Sequence, residues 1–318
     1  MHKILIVQTA YIGDVILATG LIESIHQAFP EAQIDFVLRK GNESLLKNHP
    51  FVNKLYIWDK KKNKFSNLIK LIGQIRKERF DLVVNLQRFF STGLIALCAK
   101  SKNKRGYDKN PLSFCYHKKT EHFIGKNHET YRNFSLIDDL KNIHYQKPHL
   151  YFTAEEIQKV QPLKSQPFVC MAPGSVWFTK QLPIAKWAEL ILTISDNIKI
   201  YLIGAPVDAA LCNEIRLLSS HPKIEILCGK LTLTESAALM QHAEMNYVND
   251  SAPLHLASAV NAPVTAFFCS TVPEFGFGPL SDKSVIKQVG EMSCRPCGVH
   301  GYKSCPLGHF DCAYKIEI

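Results

Sequence analysis

No stretch of this sequence approaches the roughly 18 consecutive apolar residues that a membrane-spanning helix needs, so no such helix is expected. The opening run Ile4-Leu5-Ile6-Val7 follows a lysine, as the apolar part of a secretory leader would. It is too short for one, and Gly13-Asp14 ends any extension of it. A cytoplasmic protein is the expectation. The sequence also lacks any repeat with a period of roughly 20–50 residues, which excludes solenoids and propellers. The fingerprint Gly-x-Gly-x-x-Gly is absent. So is Gly-x-x-x-x-Gly-Lys-[Ser/Thr]: Gly229-Lys230 is followed by Leu231, and Ile224 stands where the first glycine belongs. A nicotinamide oxidoreductase and a P-loop nucleotidase both lose ground.

Acidic residues are scarce in one half only. Residues 1–150 carry 25 Lys+Arg against 13 Asp+Glu, whereas residues 151–318 carry 13 against 15. The net charge of +10 therefore belongs to the first half. It points to a polyanionic partner: nucleic acid, an anionic membrane surface or a phosphorylated substrate, against the plainer reading of a solvated surface. Basic residues interleaved with aromatics in a nucleic-acid motif are missing, which leaves nucleic acid the weakest of the three. The densest run is Lys60-Lys61-Lys62-Asn63-Lys64. With Lys102, Lys104 and Arg105, also in loop-like stretches, it is the candidate docking surface.

Of the ten cysteines, Cys98, Cys115, Cys170, Cys212, Cys228 and Cys269 are scattered, most of them in apolar contexts where they read as small buried hydrophobes. The other four crowd together as Cys294-x2-Cys297-x7-Cys305-x6-Cys312, with His300 and His309 between them. Cys-x2-Cys is a chelate spacing, but the second pair is loose. A structural zinc site and a set of free thiols stand as equal readings, and a disulfide framework is not expected in a reducing compartment.

At 318 residues, 46% hydrophobic and 21% charged, the chain has ordinary globular composition and exceeds what one core usually covers. Short apolar runs at 3–9, 34–38, 54–58 and 81–86 read as buried strands. Helical spacing marks 14–29, 65–77, 92–99 and 127–140. A polar, proline-containing stretch follows Tyr145. The alternation then restarts with strands at 168–172, 198–203, 224–227, 245–248 and 263–268. Helices fall at 184–194, 207–218, 234–242 (Thr234 as N-cap) and 253–260. Repeated βα units imply parallel sheets covered by helices. The expected fold is α/β: two Rossmann-like domains, 1–150 and 151–318, facing one another across a cleft.

Ligands of such sheets sit at the carboxyl ends of strands, beside helix N-termini. Three turns stand out there. In Gln8-Thr9-Ala10-Tyr11-Ile12-Gly13-Asp14, the carboxylate of Asp14 reads either as a helix cap or as a group that takes a proton from a hydroxyl. In the turn 171–183, Gly174, Ser175 and Lys180 suit an anionic phosphate, against a plain surface lysine. In the turn 247–257, Asp250, Ser251, Ala252 and His255 flank a third helix start, with His255 also readable as a core histidine.

Together the motifs Ile12-Gly13-Asp14-Val15, Pro173-Gly174-Ser175 with Lys180 and Pro183, the run from Asn249 to Ala257, and Phe275-Gly276-Phe277-Gly278-Pro279 resemble glycosyltransferase family 9, the ADP-heptose:lipopolysaccharide heptosyltransferases. Their order covers nearly the whole chain. The resemblance implies a GT-B fold with the acceptor on the first domain and a nucleotide-sugar on the second. It implies inverting, metal-independent transfer without a cofactor, and ADP-heptose as donor. Asp14 would be the general base. Gly174, Ser175 and Lys180 would hold the diphosphate. Asp250, Ser251, Ala252 and His255 would bind sugar and diphosphate, and Leu231 would lie along the nucleotide base. The acceptor would be an anionic lipid-linked glycan, a lipopolysaccharide core, met at the cytoplasmic face of the inner membrane. Competing readings are a GT-B nucleotide-sugar epimerase, which needs further cleft carboxylates, and a non-catalytic glycan- or nucleic-acid-binding module.

Overall fold

The computed structural model describes residues 1–125 and 127–318. It divides into two compact units, Met1–Tyr151 and Phe152–Ile318. In the first, the elements run β1 (Lys3–Val7), α1 (Ile12–Ala28), β2 (Gln33–Arg39), β3 (Val52–Trp58), α2 (Lys64–Ile75), β4 (Leu82–Asn85), α3 (Phe90–Cys98), β5 (Asn103–Tyr107), β6 (Lys118–Thr120) and α4 (Glu129–Phe134). In the second they run α5 (Ala154–Val160), β7 (Phe168–Ala172), α6 (Ile184–Leu192), β8 (Lys199–Leu202), α7 (Ala209–Leu218), β9 (Ile224–Ile226), α8 (Leu233–Met240), β10 (Asn246–Asn249), α9 (Ala252–Ala259), β11 (Val264–Phe268), β12 (Ser284–Gln288) and α10 (Asp311–Tyr314).

Each unit holds a six-stranded sheet, ordered β3-β2-β1-β4-β5-β6 and β12-β11-β10-β7-β8-β9. All pairings are parallel. Counted from its own first strand, each sheet has the order 3-2-1-4-5-6 of doubly wound nucleotide-binding folds. The order reverses between β1 and β4 in one unit and between β7 and β10 in the other. The four central strands consist almost wholly of buried residues, because a parallel strand is covered on both faces. One core gathers Leu5, Val7, Trp58, Leu71, Val83 and Ile95; the other gathers Met171, Trp187, Ile191, Leu202, Ile215 and Phe267.

Several expectations are corrected. The helix expected over 127–140 is α-helical only over Glu129–Phe134. Beyond it the Leu136 carbonyl accepts a bond from Arg105 Nη1 at 3.1 Å, and Asp139 pairs with Arg105 and Lys118, so the chain is drawn into turns. The same contacts place Arg105 in β5, buried, rather than on a loop. Lys104, in β5 too, gives its ammonium to the Leu97 carbonyl at 2.7 Å. The cap of α8 is Thr232, whose hydroxyl accepts from Glu235 N–H at 3.2 Å while the Glu235 carboxylate accepts from Thr232 N–H at 2.7 Å. Thr234 is buried and bonds Glu156 instead.

Candidate active site

The switch point of the first sheet is laced by buried polar groups. Thr9, just past β1, donates its N–H and hydroxyl to Gln87 Oε1 at 3.3 and 2.7 Å. Gln87, just past β4, donates its N–H to Asn85 Oδ1 at 3.1 Å, and its carbonyl accepts from Asn110 Nδ2 at 3.0 Å. Lys60 completes the set: its ammonium donates to the Thr9 carbonyl at 2.7 Å and hydroxyl at 2.9 Å, over the ring of Trp58. Burial pushes it down to about 8, helped by the charges of Arg39 and Lys64. Lys60 therefore braces the β1–α1 turn and is not part of a solvated basic run.

Asp14 sits in the first turn of α1, and its carboxylate accepts the N–H of Tyr11 at 3.1 Å. The capping contact is thus present, on a carboxylate at the carboxyl edge of the central strand. Helix α4 packs on α1 and brings in a second carboxylate. Glu129 is buried and accepts from Arg132 Nε at 2.9 Å. Burial raises it to about 7 against the pull of Arg132, and the charge of Asp14 adds to the rise. A carboxyl raised from 4.5 binds its proton more tightly in the folded state, so its contribution to stability falls as pH rises from 4.5 through 7. Glu129→Gln should flatten that decline. Comparing urea midpoints at pH 5 and pH 7.5, the wild type should lose about 2 kcal/mol more than the variant. Parallel losses in both proteins would assign the slope elsewhere.

In the second unit the chain leaves β7 through Pro173-Gly174-Ser175. A Cβ on Gly174 would stand 2.4 Å from an Asp208 carboxylate oxygen, so any side chain here would have to displace that carboxylate. Asp208 itself accepts from the Ala205 N–H at 2.8 Å. Gln181 Nε2 donates to the Ser175 carbonyl at 2.6 Å. Asn249, fully buried at the end of β10, ties the turns together: it accepts from Leu182 N–H at 3.0 Å and donates to the Pro173 carbonyl at 2.7 Å. Beside it Lys180 Nζ meets Asp250 Oδ2 at 2.6 Å, and the same oxygen accepts from the Thr271 hydroxyl at 2.6 Å.

Lys180 and Asp250 lie 70 residues apart in sequence and are joined across the switch point of the second sheet. Ser251 caps α9, and Ala252 and Pro253 open its first turn. Pro253 carries no N–H and the Leu254 N–H donates to the Ser251 carbonyl at 3.0 Å, so the helix start beside this ion pair offers the amides of Ser251 and Ala252. His255 is buried on α9, its ring centroid 6.3 Å from that of Phe277. Leu231 lies apart from the pair, half-buried on the loop after β9, a strand two places from β7. The arrangement suits an anion: a cation, a helix N-terminus and a glycine turn meet at one strand edge.

Cys294, Cys297, Cys305 and Cys312 gather at the end of the second unit, the first three half-buried and Cys312 buried on α10. Burial raises Cys312 to about 11, and the neighbouring Cys297, Cys305 and Cys294 add to the rise. Among the described residues, no three His, Cys, Asp or Glu side chains converge closely enough to hold a metal ion.

The sequence reading does not reach Glu129 or Asp208, and it names Lys60 only as part of a docking surface. Lys60 lay hidden in a lysine run. The signal for Glu129 and Asp208 was a lone acid beside a helix start, which reads equally well as a cap.

Two parallel sheets of order 3-2-1-4-5-6, one in each unit, are the architecture of the GT-B class. Known proteins agree. Lipopolysaccharide heptosyltransferase 3 of Escherichia coli is 29% identical over 277 residues, covering 81% of each chain. The glycosyltransferase family 9 structure from Veillonella parvula superposes with a TM-score of 0.81 at 20% identity, covering 90% of this chain and 85% of that one. The E. coli ADP-heptose lps heptosyltransferase II structure superposes with a TM-score of 0.78 at 22% identity, over 94% and 92%. The sequence pattern of glycosyltransferase family 9 (heptosyltransferase) matches residues 68–306, and the chain belongs to that family.

Proposed function

We propose that this protein transfers a heptose from ADP-heptose to a lipopolysaccharide core acceptor, with inversion and without a metal. The observation that carries the reading is the Lys180–Asp250 pair beside the N-terminus of α9, in a chain whose Asp14 stands at the matching edge of the other sheet. The first unit takes the acceptor and the second the donor. Asp14 removes the proton of an acceptor hydroxyl. The oxygen bonds to the anomeric carbon as the bond from that carbon to the diphosphate breaks, and the nucleoside diphosphate leaves. Lys180, Gly174, Ser175 and the α9 N-terminus, with Ser251 and Ala252, take up the charge developing on the leaving group. Asp250 and His255 hold the donor sugar, and Leu231 lies along the base. The test is turnover of ADP-heptose with a lipid A-core acceptor, read as ADP release and as the mass gain of one heptose on the acceptor. ADP release without a heavier acceptor, an epimerised donor, or no turnover with ADP-heptose would each sink it.

We propose peripheral membrane association through the first unit as well. Lys61, Lys62 and Lys64 are exposed, and α2 turns Phe65 and Ile69, 75% and 71% exposed, outward from its buried Leu68, Leu71 and Ile75. Cations beside exposed apolar side chains suit an anionic lipid surface at the cytoplasmic face of the inner membrane. Among the described residues, no helix is long and apolar enough to cross a membrane. Co-sedimentation should be stronger with anionic than neutral vesicles and weaken with salt. It should fall when the three lysines become glutamine; indifference to lipid charge would discard this surface.

The four C-terminal thiols have the donor chemistry of a structural zinc site, but among the described residues no three of them converge as a metal ion requires, and packed free thiols stand as the other reading. Elemental analysis of protein purified without added metal decides between them: stoichiometric zinc is expected on the metal reading alone. Metal-free protein with four alkylatable thiols would leave them as packing groups.

A further inference from the structure

A second pair of cysteines lies beneath the donor-side loops. Cys212 is fully buried on α7, and Cys228 is half-buried just past β9; their sulfurs are 3.2 Å apart. The two thiols are unlike. The bond from Cys212 holds Cys228 below the ordinary thiol range, while that same bond and burial push Cys212 far above it. Cys228, half-buried, is the sulfur a small oxidant reaches first, and Cys212, fully buried, is the resolving thiol behind it.

Their position ties them to ligand binding. Helix α7 begins directly after Asp208, the residue whose carboxylate packs against Gly174 and Gly204. Cys228 precedes Gly229, which takes a positive φ of 73° and donates its N–H to the Gly204 carbonyl at 2.9 Å. Leu231 and the α8 cap follow within four residues. A change in the distance between α7 and Cys228 therefore pulls on both the Gly174 turn and the Leu231 loop.

We propose that Cys212 and Cys228 form a reversible disulfide, driven by a hydroperoxide, that weakens the hold of the second unit on its nucleotide. The coupling to nucleotide rests on the donor reading above. The Cys228 thiolate attacks a peroxide oxygen, the O–O bond breaks, and hydroxide leaves a sulfenic acid on Cys228. The Cys212 thiol attacks that sulfur, the S–O bond breaks, and the departing hydroxide takes the thiol proton as water. Two thiols lose two electrons and the peroxide gains them. Closing the sulfurs from contact to a bond draws them together by about 1 Å.

The test treats the purified chain with hydrogen peroxide, alkylates it, and maps its peptides by mass spectrometry, with ADP binding followed by calorimetry. The expected result is a peptide linking Cys212 to Cys228 that dithiothreitol separates. ADP affinity should fall roughly tenfold in the linked protein and recover on reduction. Cys212→Ser and Cys228→Ser should each bind ADP as the reduced wild type does and lose the reversible response. Both variants are used because Cys212 is buried in the core, whereas Cys228 tolerates serine at a half-exposed position. Absence of the linked peptide overturns the proposal. So does a linked protein whose ADP affinity is unchanged. Reduced protein that binds no ADP overturns the donor reading, and the coupling with it, whatever the peptide map shows.

Discussion

Asp14→Asn is expected to cut turnover by roughly 10²–10⁴ while leaving fold and donor affinity in place. Asparagine keeps an oxygen that can accept the Tyr11 N–H, so the first turn of α1 stays capped. What it loses is the ability to accept a proton and the negative charge. Loss of charge near a helix N-terminus costs about 0.3–1 kcal/mol, too little to unfold the unit. Losing the charge also relieves Glu129, which Asp14 helps to raise. The measurement is kcat at saturating donor and acceptor, with donor affinity followed separately by calorimetry. A variant with near-normal kcat would leave Asp14 as a helix cap and require another base.

Lys180→Ala is expected to lower kcat by roughly 10²–10³, the usual worth of one donor to developing oxyanion charge, and to weaken nucleotide binding. A second loss accompanies it. Asp250 is 5% exposed, and removal of its cation leaves a buried carboxylate with the Thr271 hydroxyl. Breaking such a pair from one side commonly costs about 3–5 kcal/mol. The two effects separate in the double variant Lys180→Ala/Asp250→Asn. Neutralising Asp250 should restore most of the lost stability, while nucleotide affinity stays low. If the double variant regained wild-type nucleotide affinity, Lys180 would be a structural counter-ion and nothing more.

Where a strand is apolar on both faces, its position is legible from composition alone. Residues 3–7, 82–85, 168–172 and 264–268 are such runs, and they are the middle of the two sheets or next to it. Toward the margins legibility is uneven: β3 and β9, at sheet edges, still show as short apolar runs, whereas β5, β6 and β12 do not. β5 reads Asn-Lys-Arg-Gly-Tyr and becomes a strand because Arg105 finds the Leu136 carbonyl and Asp139 inside the unit. β6 and β12 lie at sheet edges, where polar residues face water and no alternation marks them. The candidate site divides in the same way. Turns that follow central strands announce themselves through glycine, acid and proline at a helix start. The partners that set their chemistry come from distant sequence: Lys180 for Asp250, Lys60 for Thr9, Glu129 beside Asp14. No local pattern encodes those pairings; strand order creates them.

That strand order also sets a timetable for synthesis. In the first unit β1 pairs on one side with β2 and on the other with β4, so Leu5 meets Asp35 early but Val83 only much later. In the second, Cys170 faces Tyr201 first and Asn246 last. A growing chain that has passed Arg39 but not Leu82 carries a central strand that is apolar from Ile4 to Val7 with one edge open, and the same exposure recurs between Leu202 and Asn246. Non-local parallel pairing is slow, and open strand edges invite intermolecular pairing. Translation thus crosses two separate windows of aggregation risk. Each closes when the fourth strand of its sheet docks, the step that also seats the turn after β4 against Thr9 and Asn249 against Pro173.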